Sequence, residues 1–139
     1  MFLLIFIKEL SVSKAKLSVM MRATKILKYA YGLFFIIAGA DKFMNMIVKW
    51  ERYISPMILN KLPMMSDTFI KIVGAIEMTI GGLILAHCAC LGSMLAIGWI
   101  GLVIINLLSM GRMYMDVVVR DIMMAVGAYV MGMLAGEKK

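Results

Sequence analysis

From Ile72 to Met110 the chain is apolar apart from Glu77, His87 and Asn106. As a single helix that stretch would measure about 58 Å at roughly 1.5 Å per residue, about twice the ~30 Å hydrocarbon thickness of a bilayer. It therefore reads as two spans joined by a tight turn. The only weakly polar patch near its middle is His87-Cys88-Ala89-Cys90-Leu91-Gly92-Ser93, which predicts the turn there and spans over 67–86 and 91–110. Gly111-Arg112 closes the latter, and the apolar run over 116–136 predicts another span. In that run Ala128, Gly132 and Gly136 recur every four residues, a ridge of small residues for close helix packing. Upstream, 26–47 reads as the first span, with Gly32, Phe35, Gly39, Lys42 and Met46 on one stripe. Between the first two spans lie Lys49, Trp50, Glu51, Arg52, Tyr53, Pro56, Asn60, Lys61 and Pro63, too polar to cross. The prolines break this stretch into short pieces, and its Trp and Tyr suit the headgroup level. The pattern predicts an all-α polytopic membrane protein: a four-transmembrane-helix bundle with a short interfacial segment between helices 1 and 2.

Residues 1–20 read as a basic N-terminal extension, dispensable to the transmembrane domain over 21–139, with Met20-Met21 as an alternative start. Met1–Ile7 is apolar but too short to span, and Lys8 and Glu9 follow it at once. A signal peptide has its cations before the apolar run, so this order predicts no cleavage.

Composition agrees with a bilayer as solvent. Hydrophobic residues fill 63% of the 139 positions, with only two prolines. The net charge of +7 would point a soluble domain toward nucleic acid; in a membrane protein it reads as topology and attraction to anionic headgroups, so the expected partner is the lipid bilayer. Lys8, Lys14, Lys16, Arg22, Lys25, Lys28, Lys138 and Lys139 fall on the side holding both termini. Once Lys42 and Arg120 are placed in the membrane, that side carries the excess of cations, which predicts an inner-membrane, multi-pass protein with both termini cytoplasmic.

The chemistry centres on Glu77. A lone ionised carboxylate inside a bilayer costs roughly 2.5–3.5 kcal/mol on insertion scales, so it is paired or functional. Gly74, Glu77 and Gly81 share one helix stripe, and the glycines let a neighbouring helix approach. Lys42 is one candidate partner, the alternative being a lysine that snorkels to the interface. Arg120 is another, although Asp116 at i−4 could hold it within its own helix. Asp121 leads the small-residue ridge and should face a neighbour. Lys42, Glu77, Arg120 and Asp121 are thus expected as a buried cluster in the outer half of the bilayer, either structural glue or a site for a ligand or a proton.

His87, Cys88 and Cys90 are the only candidates for a metal or thiol site. Zinc takes about four ligands, and the chain holds one His and two Cys. The C-x-C spacing is also not that of thioredoxin-like sites. The two thiols therefore read as small apolar residues at a turn, and no metal is expected.

Tyr31-Gly32-Leu33-Phe34-Phe35 with Ala38-Gly39-Ala40-Asp41-Lys42-Phe43, then Gly74-Ala75-Ile76-Glu77 with Gly81-Gly82, then Val119-Arg120-Asp121, resemble the DoxX family of small bacterial and archaeal membrane proteins. The likeness covers roughly Met21 to Leu134; the basic stretch before Met20 and His87-Cys88-Ala89-Cys90 lie outside the pattern. It implies a four-helix membrane bundle with Lys42, Glu77, Arg120 and Asp121 as the characteristic polar positions. It also implies an accessory subunit of a quinone- or thiol-linked oxidoreductase, with quinone as cofactor and a membrane oxidoreductase subunit as partner. The rival readings are a small proton-coupled transporter using Glu77, working as a homo-oligomer, and a non-catalytic membrane assembly factor.

Overall fold

The computed structural model describes residues 1–61, 66–86 and 88–136, and every long element among them is a helix. Helix α1 runs from Phe2 to Met44, α2 is a short turn of helix over Pro56–Lys61, α3 spans Ser66–Leu85, α4 Ala89–Ser109 and α5 Met115–Gly136. Two 3₁₀ turns, Trp50–Tyr53 and Arg112–Tyr114, fill the connections.

The first helix is longer than the hydropathy pattern alone predicts. Residues 1–20 continue it rather than forming a separate piece, because neither Pro nor Gly occurs before Gly32 to interrupt the backbone. It also stops before Ile47. Asn45 turns left-handed at φ 50°, and its amide bonds back to the Asp41 carbonyl. Met46, expected on the buried stripe, thus lies past the helix end and is 76% exposed. The turn between α3 and α4 is shorter than expected, since α4 already begins at Ala89; His87 lies outside the described residues.

The four long helices form a ring. Helix α1 lies along α3 and α4 along α5, while α3 with α4 and α1 with α5 close the bundle. Phe35, Ile80, Ile84, Ala96, Ile100, Ala128 and Met131 fill its centre. Large apolar side chains also face outward: Leu102 and Ile105 on α4, and Val126 and Met133 on α5, are all more than half exposed. Three segments, Ser66–Leu85, Ala89–Ser109 and Arg112–Gly136, are long and apolar enough to cross a membrane. An apolar skin around an apolar core is what a lipid solvent permits and water does not.

The tightest seam joins α1 and α3. A Cβ on Gly39 would stand 2.5 Å from the Gly74 carbonyl oxygen, and one on Gly74 would stand 2.6 Å from that of Gly39. One antiparallel step along, a Cβ on Gly81 would stand 2.7 Å from the Gly32 carbonyl oxygen. Backbone meets backbone at both points, so only glycine fits. On α4 and α5, Gly132 lies against Ser93, whereas a Cβ on Gly136, the last member of the expected ridge, would meet nothing within 4 Å among the described residues.

Candidate functional site

The glycine seam places the charged residues. Lys42 lies one turn beyond Gly39 on α1 and Glu77 one turn beyond Gly74 on α3, so the close approach of the backbones brings the two side chains together. Lys42 Nζ sits 2.6 Å from Glu77 Oε2, with the residues 5% and 8% exposed. The lysine is therefore buried and paired rather than snorkelling. Its ammonium also donates to the Ala38 carbonyl at 3.4 Å and lies 3.4 Å from the Trp50 ring centroid. The other oxygen of Glu77 accepts the Trp99 indole N–H at 3.2 Å.

Asp41 organises the approach to this pair. Its Oδ1 accepts the amides of Met46 and Ile47, at 3.0 and 2.8 Å, and its Oδ2 accepts the Val48 amide at 3.0 Å and the Trp50 indole N–H at 2.8 Å. Four donors converging on one carboxylate hold the chain after α1 in a tight reversal and lay the Trp50 ring over the Lys42 ammonium. Asp41→Asn keeps Oδ1 but turns an NH₂ group toward two N–H donors. It should cost about 1–3 kcal/mol, the scale of breaking hydrogen bonds to a charged group. Thermal unfolding in detergent and the emission of the two tryptophans measure this; an unchanged melt and spectrum would show that the carboxylate does not hold the turn.

The segment carrying Trp50 is tied down over the bundle end. Asn106 on α4 donates from Nδ2 to the Tyr53 carbonyl at 2.6 Å and accepts the Ser55 amide on Oδ1 at 3.2 Å. The Tyr114 hydroxyl donates to the Arg52 carbonyl at 2.8 Å, and the Tyr53 and Tyr114 rings lie 5.1 Å apart.

Beneath this strap lies a cavity of about 140 Å³. Lys42, Glu77, Arg120 and Asp121 all border it, with Trp50 and Trp99 among its aromatic walls. Arg120 does not pair with Glu77, nor with Asp116. Its Nε and Nη2 both donate to Asp121 Oδ1 at 3.3 Å, and its side chain is 65% exposed while that of Asp121 is 11% exposed. The four polar residues thus form two ion pairs across one cavity rather than a single cluster. Burial separates them: α3 faces α1 along its glycine stripe, whereas Arg120 lies one residue off the inward face of α5 and points out.

Sequence reasoning missed Trp99 and the structural roles of Asp41, Trp50 and Asn106. Asn106 carried a signal, being one of only three strongly polar side chains between Ile72 and Met110. Trp99 carried none, since tryptophan in an apolar helix reads as packing. Cys88 and Cys90 are free and exposed, and neither lines the cavity. Among the described residues no three His, Cys, Asp or Glu side chains converge as a metal site would require.

No family model matches the chain, and neither a curated protein nor a solved structure matches it.

Proposed function

We propose that the chain is a four-span integral membrane protein of DoxX type, with both termini in the cytoplasm. Its cavity between the Lys42–Glu77 and Arg120–Asp121 pairs is a ligand and proton site, and it serves as an accessory subunit beside a quinone- or thiol-linked oxidoreductase. The fourth span is the C-terminal half of α1, which is uncharged from Tyr29 to Ala40 and packs lengthwise against α3. The strap Trp50–Ser55 with α2 is the interfacial segment, its Trp50 and Tyr53 rings in tilted contact with one another and Tyr53 with Tyr114 at the bundle end.

The observation that carries the reading is the enclosure of Lys42, Glu77 and Asp121 at one aromatic-walled cavity. Structural glue needs matched pairs; it does not need an open volume between them, and pockets with few convergent polar groups in apolar walls are where small molecules bind. A quinone head fits this cavity poorly. Its carbonyl oxygens need donors, and Lys42, Trp50 and Trp99 already donate to Glu77, Asp41 and Glu77 respectively, which leaves the mostly exposed Arg120 guanidinium. The reading therefore places the redox carrier in the partner subunit. A proton-coupled transporter is the second reading, favoured by the presence of two buried carboxylates, Glu77 and Asp121, on one cavity.

Native mass spectrometry of gently solubilised protein tests the proposal. The wild-type protein should carry a partner subunit or a bound small molecule, and Glu77→Gln should lose the small molecule. Bare protein in both samples would overturn it.

A further inference from the structure

Resting on the reading of the cavity as a ligand site, we propose that its ligand is a small organic cation of the ammonium or guanidinium class, held by Asp121 between aromatic walls in exchange for Arg120. The argument is a count of donors and acceptors. The Lys42 ammonium has three N–H groups, and Glu77, the Ala38 carbonyl and the Trp50 ring take them. The Trp99 indole N–H is committed to Glu77 and that of Trp50 to Asp41. Arg120 is the remaining charged donor at the lining, and once its guanidinium, 65% exposed, turns to the surface, what the cavity has left is acceptor capacity. Asp121 is 7% exposed, its Oδ1 is bonded to Arg120, and its Oδ2 accepts no hydrogen bond among the described residues.

An open carboxylate oxygen in a cavity walled by indole and phenyl rings selects a donor with positive charge, since ring faces attract cations. The cavity already shows this preference in the way it treats its own lysine, whose ammonium sits between a carboxylate and the Trp50 ring. Size permits the class: about 140 Å³ is room enough for guanidinium, methylguanidinium or tetramethylammonium.

Exchange with Arg120 keeps the charge balanced. The Arg120–Asp121 bonds are both 3.3 Å long and the guanidinium is mostly exposed, so it can leave Asp121 for the surface at little cost when a cation enters.

The chain's only two tryptophans both line the cavity, so their fluorescence reports directly on it. Detergent-solubilised full-length protein is titrated with millimolar methylguanidinium and tetramethylammonium, against urea as the neutral counterpart and potassium chloride at matched ionic strength. The cations should give a saturable change that urea and potassium chloride do not. Asp121→Asn should abolish it, while Val130→Ala, away from the cavity, should leave it intact. Arg120→Gln should tighten binding about two- to five-fold, the scale of an exposed ion pair removed as competitor. Circular dichroism melts establish that each variant is folded, and the Arg120→Gln result stands if Asp121→Asn does not fold. No saturable change in wild type, an equal change with urea, or weaker binding in Arg120→Gln would each overturn the proposal. Such a failure would leave the partner subunit detected by mass spectrometry untouched, so the two readings fail separately.

Discussion

Glu77→Gln should lower stability by about 3–5 kcal/mol, the cost of stranding one member of a buried ion pair. The change keeps size and shape and leaves an acceptor for the Trp99 indole, so the loss falls on Lys42. That ammonium is 5% exposed and would retain only the Ala38 carbonyl at 3.4 Å and the Trp50 ring. Adding Lys42→Met should restore most of the stability, because it removes the buried charge that Glu77→Gln leaves uncompensated. Methionine suits this position, as its thioether packs well against an aromatic ring. The double variant separates the two roles of the pair. Thermal unfolding in detergent reads the structural one, and retention of any small molecule that co-purifies with the wild type reads the proposed binding one. Stability regained without the ligand assigns the pair to binding; both regained together would reduce it to helix glue. A single Glu77→Gln variant that melts like the wild type would mean the pair is not buried.

Gly74→Ala should be nearly as damaging, for a steric reason rather than an electrostatic one. The added Cβ would stand 2.6 Å from the Gly39 carbonyl oxygen and 3.0 Å from Lys42 Cβ. The first of these is backbone and cannot rotate away. Helices α1 and α3 must separate, and the Lys42–Glu77 contact that straddles this crossing opens with them. Overpacking of this kind costs about 1–3 kcal/mol, and the strained ion pair adds to it. The control is Gly98→Ala on α4, where a Cβ meets nothing within 4 Å. That change should be neutral or stabilising by about 0.5–1 kcal/mol through helix propensity. Equal melting temperatures for the two variants would show that the glycine seam is not a tight contact.

The sequence by itself determined three helices long and apolar enough to cross a membrane and the identity of the costly residues. Apolar runs of roughly twenty residues can satisfy their backbone polar groups in lipid only as helices, so α3, α4 and α5 could be read from length and hydropathy. Glycines on the same stripe as Glu77 and Lys42 marked the faces that meet, because helix spacing alone puts Gly74, Glu77 and Gly81 on one side. Local backbone chemistry was less legible. The exit from α1 depends on Asp41 gathering amides from Met46, Ile47 and Val48, and a carboxylate in an apolar segment does not announce which donors it will find. The pairing of charges was decided by tertiary structure alone. Any of Asp116, Asp121 and Glu77 was within plausible reach of Arg120, and only the rotation of α5, which buries Asp121 and turns Arg120 outward, selected Asp121. The cavity likewise belongs to no single segment. It exists because α1, α3, α4 and α5 converge under a strap held by Asn106, and rings and carboxylates far apart in the chain acquire a common wall only once that packing is fixed.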